Sequence, residues 1–283
     1  MSYNTVNQPV ESLVDDNYVE NDEDIIIPDQ PKPRTTPTPT TSSSSRTPIA
    51  SSKTSNIFQI SFYRQYFDLD SDIFFNKVQK SMNPFSNEFN NEESNELYGF
   101  IWITGTLIFF MFVSSTGSNI LSEWIHSTTG SKYNYNFDLI FSAIWLFYSY
   151  NIIVPLLLTL STSYWLKFPQ SLSLTKIISI YGYTNILWIP ITLLNLIVVV
   201  FINNEKHGVG LNIIEWLIVA TTGAVTGLSN VKKISPDLKE NCLLLNDNDP
   251  LKANKLFMGI VVALSIAHTL FTVIVKITFF GIQ

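Results

Sequence analysis

Polar and apolar positions divide the 283-residue chain near residue 96. Acidic and hydroxyl residues dominate before it. After it come five long apolar runs, at about 97–117, 137–160, 177–202, 211–228 and 256–281, separated by short polar loops. Each approaches or exceeds the ~20 residues with which a helix crosses ~30 Å of hydrocarbon. None shows the ~10-residue alternation of a membrane barrel, so helices are the expected spanning form. The pattern predicts an all-α membrane protein, a five-helix transmembrane bundle with a partly disordered cytosolic N-terminal tail. The fourth run is the shortest and carries Glu215 inside it.

The polar residues within the runs are periodic too. In the third run Tyr181, Asn185, Trp188, Thr192 and Asn195 recur at steps of three or four, which is one stripe of a helix. An unpaired amide in hydrocarbon is costly, so the stripe is expected to face other helices. The same reasoning turns Ser142, Trp145, Ser149 and Thr159 of the second run inward, and Ser265, His268, Thr272 and Lys276 of the fifth. Gly223 and Gly227 have the Gly-x-x-x-Gly spacing of close helix approach. Pro155 and Pro190 predict tolerated kinks, with Asn151 and Asn185 near enough to settle the freed backbone. Glu215 and Lys276 lie at similar depths from the same end of their runs, where they either pair or snorkel separately. Asn185, Asn195, Glu215, His268 and Lys276 are therefore expected to be structural residues within the membrane.

Charge sets the expected orientation. The tail holds seven Lys/Arg and the short loops on its side another seven, against only Lys132 and Lys206 on the other side. The positive-inside rule then puts the N-terminus in the cytosol and the C-terminus in the lumen. The first twenty residues have no apolar core, so the first run is expected to act as the insertion signal. Residues 1–56 are acidic, then Pro/Ser/Thr-rich, and lack the apolar content for a core. Residues 57–96 read as a cytosolic amphipathic segment, in which Asp70 or Ser71 opens a helix bearing Ile73, Phe74, Val78 and Met82. That helix would lie on the membrane, dock on a partner or pack on the protein's own loops. Residues 97–283 form the membrane domain. The net charge of −6 comes mainly from the tail and gives no footing for nucleic acid.

Chemistry-bearing motifs are missing. There is no metal-ligand cluster, Gly-x-Ser-x-Gly elbow or phosphate-binding loop, so neither an enzyme nor a cofactor is expected. The single Cys242 reads as an ordinary thiol, with S-acylation as the alternative. His268 reads as a hydrogen-bonded interior histidine rather than a proton relay. Polar stripes can also line a path, which keeps a small transporter or channel subunit as the alternative function. Against it, five runs do not divide into two inverted halves.

Three segments in order carry a family resemblance. "ELYGFIWI", residues 96–103, is similar to the Asp-Leu-Tyr-Gly-Pro motif that opens the first span of the Yip family, multi-spanning Golgi proteins named for interaction with Ypt/Rab GTPases. "IYGYT", residues 180–184, resembles its Tyr-Gly-Tyr motif before the third span. "FYRQYFDLDSDIFFNKVQKSMNP", residues 62–84, resembles the Phe-Asp-Val-Asp segment of the branch with human Yip-domain members one and two. With "YNIIVPLLL", residues 150–158, the match covers roughly 57–283. Glu96 stands for the motif's Asp and Phe100 for its Pro, which removes a helix-start signal. The resemblance implies a five-span protein of Golgi and early secretory membranes that acts in vesicle traffic, including endoplasmic reticulum to Golgi transport. It implies contact with membrane lipid, with Rab/Ypt GTPases and, in hetero-oligomers, with other Yip-family proteins. It further implies partner binding by Glu96, Leu97, Tyr98, Gly99, Tyr181, Gly182 and Tyr183.

Overall fold

The computed structural model describes residues 59–86, 96–126, 137–201 and 204–280. The tail over 1–56, the loop with Lys132 and the C-terminal 281–283 lie outside the described residues. Every regular element among the described residues is helical. Two short helices precede the bundle, α1 (Ile60–Arg64) and α2 (Ser71–Met82). Then come α3 (Tyr98–His126), α4 (Asp138–Leu160), α5 (Leu174–Thr184), α6 (Ile189–Phe201), α7 (Asn204–Leu245) and α8 (Pro250–Phe279). Among the described residues five helical stretches are long and apolar enough to cross a membrane, α5 and α6 counting as one. The protein is a multi-pass membrane protein of the predicted all-helical class.

Helix starts follow local chemistry. Asp249 caps α8 by accepting from the N–H groups of Leu251 at 3.0 Å and Lys252 at 3.4 Å, with Pro250 in the first turn. Ser173 caps α5 in the same way. The third span is discontinuous: α5 ends at Thr184, a 3-10 turn covers Asn185–Trp188, and α6 restarts at Ile189. Pro190 then occupies the first turn of α6, where a missing N–H leaves no bond unmade. Asn185 does not settle the freed backbone. Its Nδ2 donates to Thr104 Oγ1 on α3 at 2.9 Å, and Asn151 Nδ2 on α4 reaches the same oxygen at 3.4 Å.

Three expectations about faces and ends change. Ser142 and Trp145 face outward from α4, Trp145 being 76% exposed, while Ala143, Phe147, Tyr150 and Asn151 form the buried side. Ser265 of α8 is also exposed. A helical serine can satisfy itself on a carbonyl one turn back, as Ser149 Oγ does on Trp145 O and Ser265 Oγ on Val261 O, so it needs no neighbouring helix. The third change concerns the fourth run. Its helix, 42 residues long from Asn204, continues past 228 to Leu245 in place of the expected loop. Ile234, Leu238 and Cys242, four apart, keep a buried stripe running. Asp237 pairs with Lys176 at 2.7 Å, and Asn241 Oδ1 accepts from Gln170 N–H at 3.0 Å. Burial closes Cys242 to an acyl donor.

The centre is aromatic. Tyr150 stacks on Phe271 at 3.9 Å, and Phe271 meets Phe147 edge-on at 5.3 Å, which joins α4 to α8. Gly223 and Gly227 bring α7 against α8: a Cβ on either would lie 2.3 Å from Thr272 or 2.6 Å from His268. Tyr181, Asn185, Trp188, Thr192 and Asn195 are all buried.

Candidate functional site

The start of α3 meets the C-terminal half of α5 at the end of the bundle where the chain enters. The peptide N–H groups opening a helix have no partner within it and attract negative charge. Glu96, two residues before α3, answers this: its Oε2 accepts from Tyr98 N–H at 2.7 Å and Gly99 N–H at 3.4 Å. Its other oxygen, Oε1, accepts from Lys77 Nζ of α2 and Ser179 Oγ of α5, both at 3.3 Å. One buried carboxylate thus ties three segments together. Leu97 adds a backbone link, its N–H donating to Tyr66 O at 2.8 Å.

Beside that carboxylate the two tyrosine-glycine segments cross at contact distance. A Cβ on Gly99 would lie 2.3 Å from the Tyr183 ring, and one on Gly182 would lie 2.3 Å from Phe100 Cα. Only glycine fits at either point. Tyr183 is fully buried, and Phe74 of α2 lies over both Tyr183 at 6.1 Å and Tyr98 at 5.2 Å. Tyr98 is half-buried and leans on exposed Trp102.

Tyr181 goes elsewhere. Two residues before Tyr183, it faces the bundle interior, its ring 5.6 Å from that of Tyr150. Tyr150 Oη lies 2.6 Å from His268 Nδ1, and His268 Nε2 lies 2.9 Å from both Gly223 O and Thr226 Oγ1. A carbonyl only accepts, so Nε2 carries the proton and Nδ1 accepts from the tyrosine. The structure therefore brings Glu96, Leu97, Tyr98 and Gly99 together with Gly182 and Tyr183, and places Tyr181 with His268. Asn195 is buried at the opposite end of the bundle, lining a small pocket with Ser114 and Phe280. There too, Lys276 Nζ meets Glu215 Oε2 at 3.0 Å and Asn212 Oδ1 at 3.2 Å, and it donates to Phe280 O.

Sequence reasoning missed how α2 is held. Its docked side is Phe74, Lys77, Val78 and Ser81, whereas Ile73 and Met82 of the expected stripe are exposed. Lys77 enters that side because Glu96 awaits it. A second buried lysine, Lys233 of α7, donates to Ser229 Oγ and, at 3.4 Å, to Asn83 O just beyond the end of α2. Unpaired carbonyls at a helix C-terminus favour such a cation. The spacing of 74, 77, 78 and 81 is a legible helix face, but a lysine and a serine in it hid the face from an apolar pattern.

The chain is similar to Protein YIP5 of Saccharomyces cerevisiae, 29% identical over 231 residues that cover 78% of this chain and 70% of that protein. It is 29% identical over 192 residues to the Protein YIPF1 homolog of Dictyostelium discoideum, spanning 67% of this chain but half of that protein. Protein YIP5 of Schizosaccharomyces pombe is 32% identical over 103 residues, 36% of this chain and 39% of that protein. No family model matches the chain, and no solved structure does.

Proposed function

Since the chain belongs to the Yip family of membrane-trafficking-related proteins, we propose that it is a non-enzymatic adaptor of Golgi and early secretory membranes. It captures prenylated Rab GTPases and other Yip-family chains at the tail-side end of its bundle. The observation that supports this is the convergence of the segments at 96–99 and 182–183 on one buried carboxylate and one glycine crossing. Tyr98 is the contact residue, because it is half-buried and reaches the surface beside Trp102. Glu96, Leu97, Gly99, Gly182 and Tyr183 position it, and Tyr181 fixes α5 from the interior. The tail lies on the cytosolic face in this reading, the orientation that the Lys/Arg asymmetry favours.

Tyr98→Ala tests the site in the full-length chain. Recovery of Rab GTPase on immunoprecipitation from secretory membranes should fall at least threefold, with membrane insertion and thermal stability unchanged. Unchanged recovery would remove the assignment. Tyr183→Ala is a poor probe, since it empties core volume beneath Phe74. Protease treatment of sealed vesicles should remove an epitope at residue 1 and spare one at residue 283. Solute flux through reconstituted protein would favour a transporter instead.

A further inference from the structure

Helix α2 has four unlike sides, one of them a mixed flank of Ile73 and Lys80. Successive helical residues advance about 100°, so Phe74, Lys77, Val78 and Ser81 fall together on the side that docks. Asp72, Asn76 and Gln79 fall together on the opposite side, exposed and polar. Phe75 and Met82 lie between the two on one flank and are 66% and 54% exposed. Phe85, just past the helix end, is 67% exposed. A helix with water all around its free surface has no use for an apolar flank beside a polar face.

The surroundings of that flank identify what covers it. Phe75 meets Phe74 edge-on at 5.5 Å, Phe74 meets Tyr98 at 5.2 Å, and Tyr98 leans on Trp102 at 6.1 Å. Trp102 lies in the second turn of a membrane-crossing helix and is 58% exposed, the place where amphipathic rings sit at headgroup depth. The chain of rings therefore runs without a break from the outward surface of α3 to the flank of α2. Helix α1 also exposes Ile60 and Tyr63, three apart on one side, and the turn after it, joined to the start of α3 through Leu97 and Tyr66, exposes Phe67.

We infer that α2 is an interfacial helix whose Phe75–Met82 flank inserts into the bilayer leaflet on the tail's side of the membrane. The Lys77–Glu96 pair and the Lys233 bond to Asn83 O set its roll, so that the polar side faces water and the flank faces lipid. Interfacial helices combine these faces in the same way. The inference concerns lipid contact and stands whether or not Tyr98 binds a GTPase.

Depth-dependent quenching tests it. In the full-length chain carrying Cys242→Ser, single cysteines replace Phe75, Met82, Asn76 or Trp102 and carry an environment-sensitive fluorophore. Each protein is reconstituted in phosphatidylcholine vesicles with and without a shallow spin-labelled lipid. Labels at 75 and 82 should emit at shorter wavelength and be quenched at least twofold, as at 102, while 76 should be quenched little. If 75 and 82 behave like 76 while 102 is quenched, the flank faces water and the inference falls. A shifted but unquenched label at 75 means protein covers it, which also overturns the proposal. Phe85 gives a further probe of this region should a label at 75 or 82 disturb folding.

Discussion

Two buried lysine–carboxylate pairs sit at opposite ends of the bundle. At the tail-side end the carboxylate is the hub: Glu96 collects Lys77, Ser179 and two backbone N–H groups of α3. At the far end the ammonium is the hub: Lys276 reaches Glu215, Asn212 and Phe280 O. The difference follows from chain direction. Helix α3 begins beside Glu96 and offers donors, whereas α8 ends beside Lys276 and offers carbonyls. The same ion pair is thus built around whichever charge the local helix termini can support. The tail-side pair fastens a peripheral helix to the bundle, while the far-side pair joins two long spans to each other.

The largest effect is expected when the tail-side hub is removed. Glu96→Ala strands a buried lysine and uncaps α3, costing about 3–5 kcal/mol. The unfolding midpoint in a denaturant titration of detergent-solubilised protein would read it. Helix α2 should also become protease-sensitive, and a wild-type digestion pattern would contradict the hub. Lys276→Met comes next at about 3 kcal/mol, because Glu215 loses the lysine that neutralises it. Lys77→Met should cost only about 1.5 kcal/mol, the scale of one charged hydrogen bond, because Glu96 keeps three other donors. Equal losses in the two lysine variants would erase the contrast between the ends. The smallest effect separates two amides. Asn185→Leu breaks the bond to Thr104 and should cost about 0.6 kcal/mol. Asn195 Oδ1 is buried without a partner among the described residues, so Asn195→Leu should be neutral within error. A larger loss at 195 than at 185 would reverse that order.

The far-side pair was legible as a possibility, because Glu215 and Lys276 share a depth that can be counted along the chain. The tail-side hub was not. Glu96 stood out only through its motif, and Lys77 had no visible reason to turn inward until α3 and α5 were placed beside it. Tyr181 and Tyr183 looked like one motif. Two residues apart on a helix, they point to different neighbours, one to Tyr150 and one to Phe74. The outward face of Ser142 and Trp145 was misread for a related reason: lipid is as apolar as the bundle interior, so a small hydroxyl that bonds its own backbone fits either side.

Amino-acid order alone determined what depends on length and local backbone chemistry. It set five spans, their helical form and the interruption of the third near Pro190, and it placed the glycines where helices come close. Tertiary structure decided which flank of each helix meets which neighbour, which carboxylate becomes a hub, and that the helix after residue 228 continues rather than unwinds. Those outcomes depend on where other helices stand. A count along one chain measures how far a segment reaches, whereas a face acquires its meaning only from what is packed against it.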